Sequence, residues 1–553
     1  MSPTAWRATR RLVPWSLSVV VFAGVLLSQD APPPGTVGAE ETRAVLASLA
    51  DTPWPKYRKD LTHTGRSPFS GPTSKRVKWT FATGKRDAAG GFETDPVIGP
   101  DGTVILGANN GILYALDPET GDIRWVFPTG FDTFAIYSTP FVDREGIVYF
   151  GAKDGNVYAL RAPGTGIVAE VVWSLNLGTT IETSPTFTPD GTLVIGADDW
   201  AYYGITPPRR STGPKVKWRF QTQGTLISSP AVDTDGTVFV ASMDGTVSAL
   251  APPTDAGGYV TARWRFRSGA RDAAGGFENA PAIDDQGTLY IGGNDGILYA
   301  LDSKTGKTRW TFDGVARSGY RTYAIFSSVA IAPDRTVYFG GKDGVLYALR
   351  ERRGLFATGP EVLWRYKLGR GIQSSPLPAA DGTVYLGDEG GTLHAVRLPA
   401  TGEWAKPLWT FATKGPLISS PALGADGSLY TASMDGTVYA FHESKKGQSS
   451  HGPLSGTWYG TYRDRGGAGQ ITLVLVQKGG EVHGVFRLQG GPPGSLEGKV
   501  AGHRGTFVLR STWERCPGSG EGTVRIDGTR LTGSYRGGDC RGTMDGGTFD
   551  VRR

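Results

Sequence analysis

Eight tryptophans, Trp79, Trp125, Trp173, Trp218, Trp264, Trp310, Trp364 and Trp409, recur along this chain at spacings of 46, 48, 45, 46, 46, 54 and 45 residues. A period this regular means one structural unit repeated eight times. Inside the period a phrase returns, clearest as Asp101-Gly102-Thr103-Val104, then Asn110-Gly111-Ile112-Leu113-Tyr114-Ala115-Leu116-Asp117, then Thr120-Gly121 and Trp125. Alternating apolar residues broken by Asp-Gly and Asn-Gly pairs are strands joined by tight hairpins. Each unit therefore reads as a four-stranded antiparallel sheet. Stacking such sheets radially buries faces that no sheet can bury alone, so the chain is expected to be all-β, with an eight-bladed propeller.

The strand order follows from the phrase: an inner strand near Ser-Ser-Pro-Ala, a second through Val-Tyr-Phe-Gly, a third through Leu-Tyr-Ala-Leu, and an outer strand carrying the tryptophan. Trp79 precedes the first inner strand, while the last unit ends at Phe441 without a tryptophan strand. Ring closure resolves both facts if Val77 to Phe81 supplies the outer strand of the last blade, leaving no open edge. The set of eight is itself a doubled four. Arg86-Asp87-Ala88-Ala89-Gly90-Gly91-Phe92-Glu93 returns 185 residues later as Arg271-Asp272-Ala273-Ala274-Gly275-Gly276-Phe277-Glu278, and Ser242-Met243-Asp244-Gly245 returns as Ser433-Met434-Asp435-Gly436.

The phrase Leu-Tyr-Ala-Leu-Asp, Thr-Gly, Trp resembles the pyrroloquinoline-quinone (PQQ) propeller repeat, and Trp54-Pro55-Lys56-Tyr57-Arg58-Lys59-Asp60 with His63-Thr64-Gly65 is similar to the lead-in before the first blade of such proteins. The likeness spans about residues 54 to 443. That family holds quinoprotein dehydrogenases as well as non-enzymatic scaffolds of the BamB type, so the resemblance implies a fold and leaves the activity open. A dehydrogenase of the family is expected to show adjacent cysteines over the quinone, Ca²⁺ ligands and a catalytic Asp. Both cysteines of this chain, Cys516 and Cys540, lie beyond the repeats. No cofactor is expected on the scaffold reading, and PQQ with Ca²⁺ only on the dehydrogenase alternative.

Other chemistry finds little footing. The six histidines, His63, His394, His442, His451, His483 and His503, lack ligand spacing, so no metal site is expected. No Cys-x-x-Cys-His or Gly-x-Ser-x-Gly occurs. The Asp-Gly pairs at Asp154-Gly155, Asp244-Gly245 and Asp343-Gly344 are expected to be turns rather than Ca²⁺ loops. With Arg7, Arg10 and Arg11 ahead of the apolar run Leu12 to Leu27, residues 1–28 read as a signal peptide or signal anchor and 29–53 as a linker. The protein is then exported: periplasmic, outer-membrane-associated or secreted if cleaved. Uncleaved, residues 12–27 tether it to the inner membrane, and a sensor ectodomain becomes the alternative.

Residues 444–452 read as a second linker and 453–553 as a small β-barrel opened by Gly456-Thr457-Trp458, loosely similar to lipocalin-like and avidin-like barrels. The stretch from Gly452 carries 14 Lys and Arg against 9 Asp and Glu, which suits a polyanion or is a solvated basic surface. The small overall excess excludes nucleic acid as an expected partner; a monomeric ring that binds an envelope protein or glycan is expected instead.

The ligand is expected at the channel mouth. Loops from an outer strand to the next inner strand share a face with the second-to-third-strand turns, which places Arg86, Asp87, Phe92, Glu93, Tyr137, Glu182, Arg271, Asp272, Phe277, Glu278, Phe326 and Gln373 on one rim. Aromatics there would stack on a carbohydrate or peptide while the charges direct hydrogen bonds. The alternative is that Arg86 braces Glu93 and Arg271 braces Glu278.

An exported chain with two closely spaced cysteines predicts a Cys516 to Cys540 disulfide. Closing a loop of about 25 residues stabilises by about 3 to 4 kcal/mol on the loop-entropy account. Thiol titration of the exported protein without denaturant should find no reactive cysteine; two would contradict the bond.

Overall fold

The computed structural model describes residues 52–553 apart from 85–89, 131–134, 209–212, 252–257, 270–275, 316–323, 353–358, 400–401, 445, 448, 450, 465–466, 492, 512–517 and 540–541, and apart from the side chains of 539 and 542–545. The signal segment, both cysteines and Arg86, Asp87, Arg271 and Asp272 lie outside the described residues. All forty described elements are strands. Thirty-two make eight four-stranded sheets and the last eight close a barrel.

The first blade runs from its inner strand Val97–Ile98 through Val104–Gly107 and Ile112–Leu116 to the outer strand Ile123–Pro128. The eighth runs through Ala422–Leu423, Leu429–Ala432 and Thr437–Phe441, and its outer strand is Val77–Ala82 from the start of the ring. Trp79 stands opposite Ala440 and Phe81 opposite Val438, so the ring closes as the tryptophan ladder requires.

The phrase Tyr-Ala-Leu has a steric cause. In every blade the outer-strand tryptophan pairs with a small residue of the third strand: Ala115 for Trp125, Ala159 for Trp173, Ala249 for Trp264, Ala300 for Trp310, Ala348 for Trp364 and Ala395 for Trp409. Gly204 faces Trp218. Each pair sits at a shift of register, which kinks the outer strand and aims the indole. Trp79 and Trp264 then lie against the third-to-fourth turn of the following blade, donating from Nε1 to the Pro118 carbonyl at 2.8 Å and the Ser303 carbonyl at 3.0 Å. Gly121 and Gly306 of those turns sit against the rings where a Cβ would collide, at φ 72° and 70°; hence Thr-Gly precedes the next tryptophan.

The Asp-Gly pairs are turns, as expected. Asp154 accepts the Asn156 amide through one carboxylate oxygen and the Tyr158 hydroxyl through the other, at 3.0 and 2.5 Å; Asp343 does the same for Val345 and Tyr347. Asp244 caps its own turn through the Thr246 amide at 2.9 Å.

Residues 456–552 form the closed barrel around Trp458, Leu473, Phe486, Phe507, Tyr535 and Phe549. It is docked on blade one. Val474, Val476 and Val485 of the barrel join the hydrophobic core that holds Ile123 and Val126 of the first outer strand. Arg487, one of the basic residues of the tail, is buried in this contact and donates to the carbonyls of Asn110 at 2.8 Å, Gly111 at 3.2 Å and Thr129. The linker expected over 444–452 is tied down on the way: the Gly447 amide donates to the Glu119 carbonyl at 3.0 Å, and the Ser449 hydroxyl to Asp122 at 2.5 Å.

The fold predicts one costly methyl group. Gly204→Ala places a Cβ into the Trp218 indole with neither strand free to retreat. Overpacking of this kind costs about 1 to 3 kcal/mol. Denaturant unfolding should show the loss, and an unchanged midpoint would contradict the steric reading of the repeat.

Candidate functional site

The inner strands are two residues long, so backbone groups at the channel need partners outside their own sheet. Side-chain oxygens supply one set. The amide of Asp95 donates to the Thr139 hydroxyl, Thr139 to Ser184 and Ser184 to Ser229, each at 2.9 Å. Across a gap at Ala280 the chain of bonds resumes from Ala280 to Ser328, Ser375 and Ser420 at 3.0 Å, and the Ser420 amide returns to the Asp95 carboxylate at 2.6 Å. This ring explains the second serine of Ser-Ser-Pro.

The lead-in supplies the other set. On the face of the inner-to-second-strand turns, Ile98, Val142, Val232, Ile283 and Ile331 donate their amides to the carbonyls of Trp54, Pro55, Leu61, Thr62 and Thr64 at 2.7 to 2.9 Å, and Ser67 donates to Pro378. Six of eight inner strands are thus stitched to residues 54–67. Lys56, Arg58 and His63 are fully buried there. Arg58 donates to the carbonyls of Val329 and Pro376, both at 3.1 Å, Lys56 to those of Tyr57 and Asp60, and His63 Nδ1 lies 3.1 Å from the Pro281 carbonyl. Arg58, Lys59 and His63 hold φ of 55°, 72° and 58°, a strained path that the ring imposes. The channel is closed from this face.

The opposite face is the mouth. The residue two places before each member of that inner ring points there: Glu93, Tyr137, Glu182 and Ile227 from the first half, then Glu278, Phe326, Gln373 and Ile418. Each has a companion sixteen residues on, in the second-to-third-strand turn of its blade. Asn109 donates to Glu93 and Asn294 to Glu278, both at 3.0 Å. Lys153 stands 4.4 Å from the Tyr137 ring centre and pairs with Glu182 at 2.8 Å; Lys342 stands 4.8 Å from that of Phe326 and pairs with Glu389. Burial raises the carboxyl pKa of both Glu93 and Glu278, with the asparagine bonds opposing and, at Glu93, Glu182 repulsion adding.

The site differs from expectation in three respects. Phe92 and Phe277 are fully buried, packed on Tyr114 and Tyr299 in their blade cores, and offer no stacking surface; only Tyr137 and Phe326 of the expected aromatics reach the mouth. The described partners of Glu93 and Glu278 are asparagines, while the arginines proposed to brace them lie outside the described residues. Ile227 and Ile418 escaped sequence reasoning although their offset from the hydroxyl positions carries the signal. Among the described residues the mouth does not fit PQQ, a tricarboxylate: its two rings hold five carboxylates against two lysines already paired to carboxylates. No group of three His, Cys, Asp or Glu side chains among the described residues is placed to hold a metal ion.

The family described as Outer membrane protein assembly factor BamB matches residues 71–213, 169–358 and 342–492. No curated protein matches. The crystal structure of BamB from Moraxella catarrhalis is 18% identical, covers 66% of this chain and 98% of its own, with a TM-score of 0.49. Quinohemoprotein alcohol dehydrogenase from Comamonas testosteroni is 16% identical over 76% of this chain and 85% of its own, TM-score 0.55. Sqt1 of Saccharomyces cerevisiae is 11% identical over 66% and 99%, TM-score 0.54. Identities this low speak to the fold alone.

The closed face carries a pH signature. Burial holds the Lys56 ammonium down to about 7, with Asp60 opposing. A group depressed on folding contributes stability that is fully present above its unfolded pKa, here 10.5, and lost as pH falls through about 7. Asp95, pushed up to about 6 by burial, runs the other way: its contribution is full below 3.8 and lost as pH rises through about 6. The urea midpoint should climb from about pH 7 toward 10.5, and Lys56→Met should flatten that climb; an identical slope in the variant would contradict the buried ammonium.

Proposed function

Because the chain belongs to the PQQ-type β-propeller repeat family, we propose that it is an exported, non-catalytic binding scaffold of the cell envelope, taking a protein or glycan at the open mouth of its ring. The observation that carries the reading is the pair of related clusters, Tyr137 with Lys153 and Glu182, and Phe326 with Lys342 and Glu389, set in opposite halves of one mouth. Half-exposed aromatics beside fixed charges on a rigid ring are contact chemistry. Nothing in the hydrogen-bonded closure of the blades requires them, since blades four and eight close with Ile227 and Ile418 at the same positions.

Export is supported by the arginine-led apolar segment at the N-terminus and by the outer-membrane role for which the matching family is named. The docked barrel flanks the mouth at blade one, where Asn110 donates to the Tyr459 hydroxyl at 3.2 Å, and so offers a second contact surface.

Capture from envelope extract tests the proposal. Changing Glu93 or Glu278 singly to Gln should weaken capture partially and changing both should weaken it further, with melting temperature held. Supplying PQQ and Ca²⁺ should produce no dye reduction with alcohols. Undiminished capture by the double variant would remove the mouth as the site, and dye reduction would install the dehydrogenase reading in its place.

A further inference from the structure

At the third position of the second-to-third-strand turn, seven blades hold glycine, from Gly111 to Gly436, at φ between 73° and 84°. Blade three holds Trp200, at φ 64° and 48% exposed. An L-residue with a large side chain is strained in this region, and most of all where glycine is the norm. The backbone around it performs the same task as at the glycines. The Trp200 carbonyl accepts the Thr222 amide at 2.8 Å, as the Gly111 carbonyl accepts that of Thr129 at 2.9 Å. The bulk therefore adds nothing to the turn, and its indole is not spent on burial. Strain kept for an exposed side chain marks a site of contact.

The turn that carries Trp200 also carries Asp198 of the mouth, beside Glu182 of the same blade. The next blade presents Ile227, 40% exposed, with Met243 behind it in the turn, and blade eight repeats that apolar pair as Ile418 and Met434. Among the described residues the mouth thus joins an excess of carboxylates to two apolar patches. A neutral sugar would match the aromatics but neither the surplus charge nor the Ile and Met patches. A lysine or arginine side chain matches all of them: its charge answers the carboxylates, its methylene stem lies on Ile and Met, and its head can sit on an indole face. Resting on the reading of the mouth as a binding site, we infer that its ligand is a basic peptide segment with apolar neighbours, anchored on Trp200.

The test uses the full chain and three probes: a short peptide of alternating lysine and leucine, the same peptide with glutamate for lysine, and a neutral oligosaccharide. Fluorescence anisotropy should show the basic peptide bound, more weakly as salt rises. Trp200→Gly should weaken it about tenfold or more, the scale of an interface anchor, while the melting temperature stays level or rises because the turn regains the residue its backbone takes. Glu93→Gln with Glu278→Gln should weaken it as well. Preference for the oligosaccharide, or equal binding of both peptides, would overturn the inference and leave the scaffold reading standing. Unchanged affinity in Trp200→Gly would remove the anchor. If no probe binds and capture from envelope extract is also insensitive to the mouth variants, the reading of the mouth falls with it.

Discussion

Eight inner strands of two residues each cannot satisfy their own backbone, and most of the architecture answers that shortage. One answer is circular, the ring of hydroxyls and the Asp95 carboxylate that receives the amide of one blade on the side chain of the next. The other is the lead-in, which lays its carbonyls across the inner strands and carries Lys56, Arg58 and His63 into full burial. Burying charge is expensive unless it is bonded, and here carbonyls of distant blades receive Arg58 and lie against His63, while the lead-in's own Tyr57 and Asp60 carbonyls receive Lys56. The chain that closes the channel is continuous with the strand that closes blade eight, so one segment completes the ring twice. The proposed contact site follows from this geometry, because a channel closed from one face leaves its polar and aromatic residues accessible at the other.

Much of this was legible in the residues. The tryptophan ladder, the closing strand and the Asp-Gly turns repeat with a fixed period, and contacts between neighbouring strands of one blade lie at short, constant separations. Trp79 opposite Ala440 is the long-range exception, readable only because a missing strand at one end matched a spare one at the other. What stayed hidden rests on residues present once. Arg487 looked like part of a basic surface and is instead spent on carbonyls of blade one; the lead-in's lysine, arginine and histidine had no pattern to show that they enter the channel. Phe92 and Phe277 misled because a duplicated aromatic beside charges has the composition of a rim, whereas only the alternation of the strand entry decides that Glu93 faces out and Phe92 faces the core.

The duplication separates what the ring needs from what one half has changed. Glu93 and Glu278 keep the same asparagine partner, and Lys153 and Lys342 keep an aromatic beneath them, yet the carboxylate that pairs with lysine moves from Glu182 in one half to Glu389 in the other. Trp200 is the strongest departure, since it replaces a glycine that all other blades retain. A scaffold that repeats its core while varying its upper turns concentrates individuality where a partner can read it.

The contact proposed for this protein lies at the mouth rather than on the outer rim. Placing a photo-cross-linking residue at Ile227 in the mouth, or at Tyr259 on the outer rim where the side chain is 74% exposed, tests it in the cells that express the protein. A discrete adduct from position 227 and none from 259 is the predicted result. An adduct from 259 with none from 227 would contradict the account.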